Sequence, residues 1–218
     1  MKLITGLYGS TLGKKILMAV TGIILFGFVM GHMIGNLQLY MGAETLNHYA
    51  ELLQSNKAFL WSFRMVLLFC VSVHILAAVQ LWLRNRRSRP VKYRVFNPPA
   101  VDYAARTMVW SGPIILLFIL YHLGQFTVGC THHDFIRGDV YHNVVSAFQV
   151  WWISGFYIAA NFLLAIHLYH GLWSLFQTFG WDHPRFGDLR RWIAVGFAVL
   201  IGAGNISMPL AVITGVVR

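Results

Sequence analysis

Between Lys15 and Glu44 the chain runs for twenty-eight residues without a single charged side chain. Wound as a helix at about 1.5 Å per residue, such a run is longer than the roughly 30 Å hydrocarbon core of a bilayer. Four further stretches meet the same requirement, which places spans at about 16–39, 59–83, 107–128, 150–179 and 192–216. Only 11% of the residues are charged, against roughly 25% in soluble domains. The expectation is an all-α integral membrane bundle of five transmembrane helices, forming a single domain over residues 1–218.

The formal charge of +10 would suit a nucleic-acid binder, but the basic residues sit in short blocks beside the apolar runs. Lys2, Lys14, Lys15, the cluster from Arg84 to Arg106, Arg185, Arg190 and Arg191 fall on one side. Only Lys57, Arg64, Arg137 and Arg218 fall on the other. Positive charge is retained on the cytoplasmic side, so the N-terminus is expected in the cytoplasm and the C-terminus outside. Met1 to Lys15 carries no cleavable leader pattern and is expected as a short helix on the membrane surface. Cys70 lies in an apolar run and Cys130 in a loop, so no disulfide is expected between them. There is no Cys-x-x-Cys-His motif for thioether attachment of a heme.

Four spans carry histidine: His32 in the first, His74 in the second, His122 in the third, and His167 with His170 in the fourth. Ionisable groups at membrane depth are costly and mark functional sites. Counted from the cytoplasmic flank, His32 and His122 lie about 25 Å deep, and His74 and His167 about 15–18 Å deep. Two imidazoles from different helices at one depth can hold one heme iron axially. The two levels therefore point to an outer heme b on His32 and His122 and an inner heme b on His74 and His167. Gly27, Gly31, Gly35, Gly124 and Gly171 would let a macrocycle approach the helices. The alternative for each histidine is a polar side chain satisfied by a neighbouring helix.

His170 follows His167 by three residues on nearly the same face, so spacing does not choose the ligand between them. Lying nearer the cytoplasm, His170 suits a propionate contact. Arg64 lies slightly outward of the outer pair, where it can meet a heme propionate or snorkel to the headgroups. All seven acids lie outside the apolar spans. A proton carrier for an outer quinone site would thus come from the first outer loop, where Glu51 and His48 are candidates, with Asn36, Gln38 and Tyr40 nearby.

The run Gly13-Lys14-Lys15-Ile16-Leu17-Met18-Ala19-Val20-Thr21-Gly22, followed by Gly31-His32-Met33-Ile34-Gly35-Asn36-Leu37, resembles the cytochrome b membrane subunit of bacterial succinate dehydrogenases and fumarate reductases. The similarity is to the single-chain, five-helix, two-heme type. His167-Leu-Tyr-His170-Gly171 resembles that group's His-x-x-x-Gly ligand motif and favours His167 over His170. Tyr121-His122-Leu123 and Val73-His74-Ile75 fall where its other ligands are expected. The resemblance implies a membrane anchor of complex II in the bacterial cytoplasmic membrane. Such an anchor relays electrons between an iron–sulfur subunit and a quinone, usually menaquinone, while a flavoprotein subunit handles succinate. Flavin and clusters are expected on those partners, since this chain has neither a dinucleotide fingerprint nor a cysteine cluster. The basic inner face is a candidate docking surface.

Two rivals follow from the same residues. One is the cytochrome b subunit of another quinone-linked oxidoreductase, of the formate dehydrogenase or hydrogenase type. The other is a proton-coupled transporter with a histidine relay, for which intramembrane acids or broken helices would be expected.

Overall fold

A computed structural model describes residues 9–88 and 103–218. The described residues form seven α-helices and no strand: α1 (Thr11–Asn36), α2 (Ala43–Ser55), α3 (Lys57–Arg87), α4 (Tyr103–Leu123), α5 (Val140–Gln149), α6 (Trp151–Thr178) and α7 (Gly187–Ile213). Five of these helices, α1, α3, α4, α6 and α7, are long and apolar enough to cross a membrane. The expected surface helix falls largely outside the described residues. So does the basic loop with Arg89, Lys92, Arg94 and Asn97-Pro98-Pro99.

Helix ends differ from the apolar limits read in the sequence, and the caps explain why. Ser10 accepts a bond from the Gly13 N–H at 2.9 Å, so α1 starts at Thr11 rather than near Ile16. Such a cap typically stabilises a helix by about 1 kcal/mol. Asn56 caps α3 in the same way, accepting from Phe59 N–H at 3.0 Å. The far end of α3 continues past Leu83 through Arg84, Arg86 and Arg87. Cations in a last turn complement the helix dipole, so the helix outlasts its apolar section.

The regions read as polar loops contain two short helices, α2 and α5. These pack on one another at the end of the bundle where α1, α4 and α7 finish. Asn47 of α2 ties the two together. Its Nδ2 donates to Asp139 Oδ1 and its Oδ1 accepts from Tyr141 N–H, both at 2.9 Å. Asp139 in turn caps α5 by accepting from His142 N–H at 2.9 Å. Tyr141 OH donates to the Arg218 carbonyl, bringing the C-terminus under the same cap.

α6 packs along α7 and α1 along α3, while α4 leans on α6 and α1 touches both α6 and α7. The largest buried cluster lies beneath the cap. It joins Leu39, Leu46, Phe118, Phe148, Tyr157 and Met208 from six elements. The rest of the bundle exposes large apolar side chains such as Phe69, Leu117, Phe162 and Val199. Such faces suit lipid, where apolar exposure carries no hydration cost.

Candidate metal centres

The helices that carry the histidine couples do not themselves pack closely. Neither α1 with α4 nor α3 with α6 is among the closely packed helix pairs of the described residues. Their imidazoles nonetheless reach toward one another. The His32 and His122 ring centres are 5.8 Å apart with planes at 88°, and those of His74 and His167 are 6.4 Å apart at 54°.

These separations can be tested against axial ligation. A metal–imidazole bond is about 2.0–2.1 Å, and each ring centre lies about 1.1 Å behind its nitrogen, so two trans imidazoles stand about 6.3 Å apart. Two imidazoles that share one metal–nitrogen axis can stand at any angle between their planes, so the 88° and 54° place no restriction. No group of three or more His, Cys, Asp or Glu side chains gathers among the described residues to hold a metal ion. Two imidazoles per centre suit a metal whose other positions are filled by a macrocycle. A Cβ built on Gly27, Gly31 or Gly171 would meet nothing within 4 Å, so these three helix surfaces are open to a flat ligand. Gly35 and Gly124 have other uses. A Cβ on Gly35 would come within 2.7 Å of the Tyr49 hydroxyl, and one on Gly124 within 3.4 Å of Cys130 Sγ. The glycine at 35 thus admits α2, and the one at 124 a tight turn.

Each of the four imidazoles has a polar neighbour at one ring nitrogen. His74 Nδ1–H donates to the Met18 carbonyl at 3.1 Å, with Thr21 Oγ1 at 3.3 Å. A carbonyl only accepts, so the proton sits on Nδ1 and Nε2 is left bare for a metal. The small residue at 22 leaves room for this approach: a Cβ there would lie 3.4 Å from His74 Cε1, with no space for a branched side chain. His167 Nδ1 lies 3.5 Å from the hydroxyl of Ser111, a residue only 1% exposed. His122 Nδ1 lies 3.3 Å from Tyr157 OH. Partners of this kind fix ring orientation and raise ligand basicity. On His32 the neighbour is at Nε2 instead of Nδ1: the Asn36 amide Nδ2 stands 3.1 Å from it. Ligation through Nε2 would require that amide to give way.

Arg64 is exposed, and its guanidinium stacks over Trp61 at 5.3 Å on its own helix. His170 is half-buried one turn beyond His167 on α6. Glu51 and His48 are exposed on α2, where they line an open cleft of about 660 Å³ with Glu44, Asn47, Gln54, Ser55 and Gly138. Asn36 faces His32 rather than that cleft.

The sequence assigns no individual role to Thr21, Gly22, Ser111, Gln125 or Tyr157. Their signal was a polar or small residue inside an apolar span. That signal becomes specific only when a partner from another helix is known. Comparison with protein families, with curated proteins and with solved structures finds no match to this chain.

Proposed function

We propose that this chain is the cytochrome b membrane anchor of a succinate:quinone oxidoreductase. In this reading it binds two b hemes and relays electrons between an iron–sulfur partner subunit and a quinone of the menaquinone type. The observation that carries the reading is the pair of imidazole couples with ring-centre separations of 5.8 and 6.4 Å. Both lie within about 0.5 Å of the ~6.3 Å spacing of two imidazoles that share one metal, so His32 with His122 and His74 with His167 would hold the two groups. When bound, each heme supplies a one-electron ferric/ferrous couple inside the bilayer. The chain's own part is to hold four neutral imidazoles at two depths, with Met18, Ser111 and Tyr157 setting ring orientation on three of them.

The charge asymmetry of the sequence supports a cytoplasmic N-terminus. The α2–α5 cap and the His32–His122 couple then face outward, in the bacterial cytoplasmic membrane. Glu51 and His48 share the cleft at that end and are the candidate proton carriers for a quinone. Flavin and iron–sulfur clusters belong to the partner subunits in this reading. Arg64 and His170 are the candidate propionate contacts, Arg64 by turning away from Trp61.

The test is purification of the chain from its native membrane in mild detergent. It is followed by heme quantification, a reduced-minus-oxidised spectrum and identification of co-purifying proteins. Two hemes per chain, together with a flavoprotein and an iron–sulfur protein that reduce quinone with succinate, are expected. A heme-free chain would overturn every cytochrome reading. Two hemes with a different dehydrogenase would overturn the succinate assignment alone.

A further inference from the structure

We infer that Tyr157 and Gln125 form a buried hydrogen-bond relay that sets the proton position and basicity of His122, making them positioning residues for the outer centre. The inference rests on the cytochrome reading above. Tyr157 is only 4% exposed and Gln125 fully buried, both beneath the α2–α5 cap. The Tyr157 hydroxyl donates to Gln125 Oε1 at 2.8 Å, while the same oxygen lies 3.3 Å from His122 Nδ1. A hydroxyl has a single proton. Having given it to Gln125, Tyr157 can only accept from His122, so the imidazole proton sits on Nδ1 and Nε2 remains bare.

The opposite sense of the relay has the opposite consequence. If the glutamine amide donated to the phenol, the phenol would donate to Nδ1. The imidazole proton would then sit on Nε2 and block ligation. The acceptor character of residue 125 therefore decides whether His122 is competent.

Two structural features are built around this relay. Gln125 lies in a π-helical turn, Gly124–Val128, that continues α4 beyond His122. Wide turns of this kind recur at functional sites because they re-aim a side chain. Here the turn ends at Gly129, whose φ of 81° lies in the left-handed region, and Gln125 points inward. The amide Nε2 of Gln125 has no hydrogen-bond partner among the described residues. An orphaned buried donor is a cost that calls for a function, and orientation of Tyr157 provides one. The phenol ring itself is clamped by Phe118 and Phe148, each with its ring centre 5.0 Å away, and by Phe126 at 5.8 Å. It cannot swing away from its two partners.

The test is a redox titration of both hemes, with low-spin ferric EPR, in membranes carrying the wild-type chain, Tyr157→Phe, Gln125→Leu or Gln125→Glu. Tyr157→Phe keeps the clamped ring and removes only the acceptor. A less basic imidazole favours ferrous over ferric iron. The outer heme's ferric/ferrous equilibrium should therefore shift about tenfold toward the reduced form, about +59 mV for one electron, with altered EPR g values. The inner heme should not move. Gln125→Leu frees the phenol proton for Nδ1, so outer-heme occupancy should fall and the heme that remains should shift in the same direction. Gln125→Glu, which retains an acceptor oxygen, should hold the wild-type potential or fall below it. An unmoved outer heme in Tyr157→Phe, or equal shifts of both hemes, would overturn the relay while leaving the cytochrome reading intact. A wild-type chain without heme would overturn both. If Gln125→Leu fails to accumulate, Tyr157→Phe alone decides.

Discussion

Replacing Gly22 tests how the inner histidine couple is seated. An ideal Cβ at this position lies 3.4 Å from His74 Cε1 and 3.7 Å from Nδ1. Both distances are ordinary van der Waals contact, so alanine fits. Gly22→Ala should even stabilise α1 by roughly 0.5–1 kcal/mol, the backbone entropy that glycine loses in a helix interior. Gly22→Val differs because its methyls extend about 1.5 Å beyond Cβ, and helical valine is nearly locked in one rotamer. Valine's stiffness leaves the imidazole to move. Overpacking of this kind costs about 1–3 kcal/mol. Displacing the ring also breaks the 3.1 Å bond from His74 Nδ1–H to Met18, a further ~1 kcal/mol. The sum exceeds any gain in helix propensity. Loss of a ligand's orienting partner commonly lowers metal affinity about 10–100-fold. The assay is heme content and the reduced-minus-oxidised spectrum of purified protein. Expected are a full complement in Gly22→Ala and selective loss of the inner heme in Gly22→Val. The control is Gly196→Val on α7, where a Cβ meets nothing within 4 Å. Retention of a normal inner heme in Gly22→Val would refute the argument that this close approach seats His74.

On the proposed cytochrome reading, His32→Ala or His122→Ala should each remove one heme and spare the other, and His74→Ala or His167→Ala should do the reverse. Heme loss from His170→Ala but not from His167→Ala would reverse the ligand choice on α6. Asn36→Ala frees His32 Nε2 from its amide neighbour, so outer-heme affinity measured by hemin titration should rise; a fall would mean that Asn36 orients the ligand. Asp139 lies outside the spans. The backbone N–H of His142, then the Asn47 amide, hold its carboxyl below the ordinary carboxylate range. Its folded value is depressed, so its contribution to the α2–α5 cap is complete above the unfolded value and is lost as pH falls through the folded one. Hydrogen exchange in α5 should accelerate over that acid interval in the wild type. Asp139→Asn, which cannot ionise, should not show the step; an unchanged step there would assign it to another group.

The long uncharged runs determined the class of this protein by themselves. In a bilayer every backbone polar group must be satisfied within its own segment, so twenty apolar residues have little choice but a helix. The pairing of His32 with His122 and of His74 with His167 was legible for a related reason: a helix converts residue count into height at a fixed rise. What the sequence could not carry was anything set by rotation of one helix against another. The 5.8 Å approach of His32 to His122, the hold of Met18 on His74, and the phenol of Tyr157 behind His122 all join residues more than thirty positions apart. The caps hid for a different reason. α2 and α5 are short and half polar, and they exist because Asn47 and Asp139 bond across ninety-two positions. Apolar periodicity records burial in lipid and passes over helices stabilised by tertiary hydrogen bonds. Composition thus determined the number of long apolar helices. Only the packed bundle decided which nitrogen of each ring is engaged by protein.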